Sequence, residues 1–210
     1  METRYFVTAV VVVLVAVTLT WLIFIPHPEK YDELDNLAGA IAGIEGGEDP
    51  LRYSSREHGF SAAPPVGFRV EESYVNQSFG PDVRIPGVAF IVPRTLYSGT
   101  NLSPDSFVSV ESLPGNDCTP SRFILTDDPG RRIVLGGVAY LYAESATAGA
   151  GNVYEDAVYV RDAGERCVAV RKLAHLTNVA NYPKGSIREF DRSILSRAAE
   201  DVARSLVIRY

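Results

Sequence analysis

Apolar and polar positions divide the chain into three stretches of different texture. From Tyr5 to Ile25, "YFVTAVVVVLVAVTLTWLIFI", 21 residues pass without a charge. At about 1.5 Å of helical rise per residue the run spans roughly 31 Å, which matches a hydrocarbon core of about 30 Å and predicts one transmembrane helix. Its Val and Thr residues are weak helix formers in water, but lipid offers the backbone no other hydrogen-bond partner, so burial overrides propensity. Tyr5 and Trp21 stand near the two ends, where amphipathic rings favour the interface. The rival reading is a cleaved secretory signal, whose apolar part runs only about 7–15 residues to a small-residue cleavage site. This run is longer and ends in "FIPHPEK", and no Cys follows directly to take a lipid.

Residues 26–50 carry acids, glycines and prolines with no sustained period, the texture of a solvated linker. Residues 51–210 then alternate. After two short extended pieces in "RYSSREHGFSAAPP", strands are predicted at Phe68–Val75, Val88–Val92, Phe107–Leu113, Ile133–Glu144, Val153–Arg161 and Arg166–Thr177. "GVAYLYAES" is apolar on both faces, as in a central strand covered on both sides. Near the end, Ile187, Phe190, Ile194, Ala198 and Val202 recur at spacings of 3, 4, 4 and 4 and form one helical stripe, with Asp191 or Ser186 as its cap. "SLVIRY" reads as a final strand, and Thr119-Pro120 as the start of a shorter helix. The predicted class is α+β: one transmembrane helix (1–25, with the short amino-terminal end), an acidic linker (26–50), and a domain (51–210) with an antiparallel sheet covered by helices.

Charge sharpens this division. Of the 26 acids, seven fall between Glu29 and Asp49 against Lys30 alone, while the residues from Leu51 onward carry 18 acids and 18 bases. A balanced body lacks the basic stripe that a nucleic acid requires, so no nucleic-acid partner is expected. Arg4 before the apolar run, with only Lys30 closely after it, biases the amino terminus inward and the body outward. The two cysteines, Cys118 and Cys167, form no C-x-x-C or Cys/His cluster, which gives metal binding no support. In an oxidising compartment they would make one disulfide closing a loop of about 49 residues, worth about 4 kcal/mol. The alternative is two separate buried thiols.

Chemistry is sparse. There is no G-x-x-x-x-G-K-[ST] loop, no G-x-S-x-G elbow and no H-E-x-x-H helix. The acids of "GGEDP" and "DDPGRR" read as turns, so no metal and no cofactor is expected. "SGTNLSPDS" has the composition of a turn feeding a strand, and Asp105 and Ser103 in it show no fixed partner. His27 belongs to the membrane exit, which leaves His58 and His175 as candidate bases. Tyr140 and Tyr142 share one face of a strand, and Tyr154 and Tyr159 lie on opposite faces of another. These four rings would line a groove for a peptide or lipid, or else pack beneath the helix. Asn76-Gln77-Ser78 and Asn101-Leu102-Ser103 match the glycan acceptor pattern.

The succession "GTNLSPDS" (99–106), "SVE" (109–111), Cys118 with "RFIL" (122–125), "AGAGNVYEDAVY" (148–159), Cys167, "NYPKG" (181–185) and "EFDRSIL" (189–195) resembles a group of proteobacterial membrane-anchored envelope proteins. From "RYSSREHGFSAAPP" to "SLVIRY" the arrangement also resembles the PsbP-like fold, an antiparallel sheet flanked by helices. The resemblance implies a single-pass protein of the inner membrane with its carboxy-terminal domain in the periplasm. It brings no functional motif that can be matched here. The resulting expectation is a non-catalytic, membrane-tethered binding or assembly module engaging an envelope protein or lipid. The alternative is an envelope hydrolase using His58 or His175 with a nearby carboxylate and Ser.

Overall fold

A computed structural model describes residues 51–209 of the chain. The predicted transmembrane helix and the linker lie outside the described residues, and among those described no helix is long and apolar enough to cross a membrane. The chain enters through a small sheet. β1 (Tyr53–Ser55) pairs with β2 (Phe60–Ala62), and the last strand, β11 (Val207–Ile208), returns to the other side of β2. "SLVIRY" therefore supplies the expected closing strand.

The main sheet is antiparallel and has eight strands. Its order is β3 (Arg69–Glu71), β5 (Ile85–Ile91), β6 (Phe107–Pro114), β10 (Arg166–Thr177), β9 (Asn152–Asp162), β8 (Val138–Gly149) and β7 (Arg131–Leu135), with β4 (Val75–Asn76) also pairing with β5. Two predicted strands are each broken in two. Phe68–Val75 divides into β3 and β4. Ile133–Glu144 divides into β7 and β8 at Gly136-Gly137, whose φ angles of 57° and 80° suit a two-residue hairpin turn with both central residues in the left-handed region. The apolar run across that pair hid the turn. β7 is consequently an edge strand, not part of a central one.

Among the described residues two α-helices follow from local signals. α1 (Arg94–Tyr97) is a single turn after Pro93. α2 (Arg192–Ser205) begins later than the apolar stripe suggested, because the Asp191 carboxylate accepts the Ser193 N–H and fixes the cap there. Ile187 and Phe190 thus precede the helix. Phe190, just before the cap, and Leu195 in the helix belong to the same buried cluster, an arrangement that sets the angle of entry. "CTPSRFIL" contains one 3-10 turn, Pro120–Arg122.

Alternation then assigns the faces. Val168 and Val170 of β10, Val108 and Val110 of β6, and Tyr140 and Tyr159 pack beneath Leu195, Ala199 and Val202 of α2. Lys172 on this face donates to Ser196 Oγ of α2 at 3.3 Å. Across the sheet a second core gathers Ile85, Phe123, Ile124, Val158, Val160 and Cys167. Among the described residues no long helix covers this face, and loops cover part of it.

Candidate functional site

The face opposite α2 has two regions of different chemistry. Near its centre lies a buried polar network. Glu111, fully buried, and Arg171, 3% exposed, stand on neighbouring strands and point to the same side. Arg171 pairs with Asp156 at 2.6 Å, donates to Tyr74 Oη at 3.1 Å and Ser78 Oγ at 3.0 Å, and stands 3.7 Å from Glu111. Glu111 accepts from Ser109 Oγ at 2.7 Å, Asn76 Nδ2 at 2.9 Å and Tyr74 Oη at 3.2 Å. Burial pushes the Glu111 carboxyl above the usual range, against the opposing pull of Arg171. Burial works to lower the Arg171 value, but Glu111 and Asp156 outweigh it and the guanidinium stays charged. Burial, with Glu111 beside it, likewise raises Tyr74. Each member has partners, so the network fastens the 72–84 segment over the second core.

Beyond it, toward the edge, β7, β8 and β9 form the floor of a groove of about 500 Å3. Leu141 of β8 stands between Arg132 of β7 and Val160 of β9 in one cross-strand row. Ala139 and Asp162 lie in the next row, and Asn116, Cys118 and Thr119 make the wall. That wall is held by the Cys118–Cys167 disulfide, with the two Cα atoms 5.1 Å apart. The floor is apolar, with a cation at one margin and an anion at the other, a combination suited to orienting an amphiphilic ligand. The predicted disulfide is present, and it marks a domain built for an oxidising, extracytoplasmic compartment.

The four tyrosines fall into two groups. Tyr140, Tyr142 and Tyr159 meet on the helix-covered face, with centroids 6.5 Å apart for Tyr140–Tyr159 and 4.8 Å for Tyr142–Tyr159. The Tyr140 hydroxyl donates to the Ala203 carbonyl of α2 at 2.7 Å. Only the Tyr140 position, on the strand between Ala139 and Leu141, also borders the groove. Tyr142 is half-buried, hydrogen-bonded to Glu144 and capped by Arg131, 4.9 Å above its ring. Tyr154 lies on the opposite face, where its ring stacks on His175 at 4.4 Å.

His175 has the partner that the sequence did not reveal. Both oxygens of Asp105 lie 2.9 Å from its Nδ1, while Nε2 is buried with no hydrogen-bond partner among the described residues. Ser106 and Ser103 meet only the backbone of His175: Ser106 Oγ accepts its N–H at 3.0 Å, and the Ser103 N–H donates to its carbonyl at 2.8 Å. His58 stacks on Phe60 at 6.5 Å, and its carbonyl receives Arg166. The turn reading of "SGTNLSPDS" gains its detail from Asn101, which donates to the Thr177 carbonyl and accepts the Phe190 N–H at 2.8 Å. Asn76 and Asn101 are 2% and 4% exposed and fully engaged, so neither sequon is open to a glycan.

Sequence reasoning missed the Glu111–Arg171 pair and the Arg132–Asp162 margins. A signal was available for the first: Glu in "FVSVESL" and Arg in "VAVRKLA" interrupt apolar strands, where charges are kept only when paired. None existed for the second, since it depends on which strands adjoin.

Fold and site together define a disulfide-bonded α+β domain, rich in antiparallel sheet, with one face under a helix and an amphiphilic groove on the other. No protein-family model matches the chain, and no curated protein matches it significantly in sequence. Two solved structures are similar in part. One is a protein from Bacteroides thetaiotaomicron VPI-5482, 14% identical with a TM-score of 0.49, the match covering 78% of this chain and 50% of that one. This chain therefore spans half the length of that protein. The other is LpqN of Mycobacterium tuberculosis, described as involved in cell envelope biogenesis, 12% identical with a TM-score of 0.36, the match covering 79% of this chain and 88% of that one.

Proposed function

We propose that the protein is a non-catalytic binding or assembly module of the bacterial envelope, of PsbP-like architecture. It is tethered to the inner membrane by residues 5–25, with its folded domain in the periplasm. The observation that carries the reading is the groove: an apolar floor of Leu141, Val160 and Ala139 between Arg132 and Asp162, walled by a loop that a disulfide holds in place. A covalently fixed wall preorganises the surface, so less ordering entropy is lost when an envelope protein or lipid docks. The hydrolase alternative would need a hydroxyl on the free nitrogen of the His175–Asp105 pair. The serines beside His175 engage its backbone instead.

The test uses full-length chain in its native membrane, with a photo-crosslinking residue at Arg132 or Ala139 and a control at Arg197 on the exposed side of α2. A discrete product from the groove positions, absent from the control and lost on Leu141→Glu, is the expected result. Equal labelling at all three positions would remove the groove from consideration.

A further inference from the structure

Among the described residues, nothing pairs with one sheet edge at the far end of the β8–β9 hairpin. β7 pairs with β8 only from Val138 to Tyr142, whereas β8 runs on to Gly149. From Ala143 to Gly149 the strand is bonded to β9 on one side, and among the described residues no main-chain hydrogen bond reaches its other edge. A row of unpaired N–H and C=O groups is a template for another strand. Natural edges are therefore guarded by lysines, prolines or bulges. "AESATAG" contains neither Lys nor Pro, and its register with β9 is unbroken. From Ala146 to Gly149 its side chains are small and exposed.

We propose that this edge pairs with the same edge of a second copy of the chain, antiparallel about a two-fold axis at Ala146. The sequence of the arm is complementary to itself in that register. Ala146 faces Ala146, Ser145, whose hydroxyl donates to the Leu125 carbonyl at 2.7 Å, faces Thr147, Glu144 faces Ala148 and Ala143 faces Gly149, so no like charges meet. Length agrees as well. The open stretch is bounded by β7 at Tyr142 and by the Ala150-Gly151 turn, where both residues have positive φ, 52° and 81°. Seven positions are thus open on each copy, and the antiparallel partner supplies seven. One self-complementary patch closing on itself is what a two-fold interface requires. The contact joins two main sheets into one and does not involve the ligand groove, so it stands or falls separately from that reading.

The experiment uses the full-length chain in detergent with the Cys118–Cys167 bond intact. Sedimentation should give twice the 22.9 kDa protein mass at high concentration. Oxidation should link Ala146→Cys to itself, whereas Ala148→Cys should not link to itself but should link to Glu144→Cys when the two are mixed. Ala146→Lys, which sets two cations face to face, should weaken the dimer about tenfold or more. Position 146 is exposed, and retention of the native disulfide under alkylation would show that each variant is folded. Three outcomes would overturn the proposal: a monomer at every concentration, equal self-linking at 146 and 148, or an extended segment of a different protein on this edge in place of a second copy.

Discussion

Asn76 and Glu111 show how much a single polar side chain decides here. The Asn76 amide donates to Glu111 at 2.9 Å and to the Phe123 carbonyl at 2.9 Å, and its oxygen accepts the Ser78 N–H. Asn76→Ala leaves a buried carboxylate and a buried carbonyl each short of a partner. Unfolding in urea should show a loss of about 2 kcal/mol. Glu111 makes a prediction about pH. Its folded value is raised above that of the unfolded chain by burial, so its contribution to stability is fully present below the unfolded value. It is then lost as pH climbs through the folded value. Unfolding free energies of the native chain and Glu111→Gln, measured from acid to neutral pH, should show the native chain losing ground to the variant as pH rises. A difference that grows in the native chain's favour would contradict the assignment. The sequence marked Glu111 as a charge that must be paired but not its partners, and it left Asn76 unmarked, because the partner of a charge or amide inside a strand depends on what stands on the next strand.

Elements were legible to the degree that their signals are local. The alternation of Phe107, Ser109 and Glu111 against Val108 and Val110 is the alternation of β6, and β9 and β10 fall close to their predicted bounds. The late amphipathic helix was visible in Ile194, Ala198 and Val202, but its start was set by one carboxylate at Asp191. The β7–β8 turn was hidden inside an apolar run and is disclosed by two glycines in a left-handed conformation. The 115–122 loop is the element most dependent on a covalent bond, since the disulfide ties it to β10 across 49 residues of chain. Replacing both cysteines with serine should cost about 2–4 kcal/mol in chemical denaturation. It should also abolish crosslinking at Arg132 and Ala139 before it abolishes the fold, because the groove wall relaxes first.

For the molecule as a whole, placement and assembly are the claims at stake. In intact cells, Cys118 and Cys167 should resist alkylation until a reductant is added, and the full-length chain should remain with membranes through alkaline carbonate extraction. Free thiols in untreated cells would remove the extracytoplasmic placement. Within the described residues, short-range pattern alone settled the alternating strands and the one late amphipathic helix. Those signals are periodic, and periodicity reports which side of an element meets an apolar medium. Pairing order, the separation of Tyr154 from the other three tyrosines, the Asp105–His175 contact and the Arg132–Asp162 margins belong to the tertiary structure only. Each joins positions from different strands or loops, and the choice of neighbour is made by the packing energy of the entire sheet, which no local stretch contains.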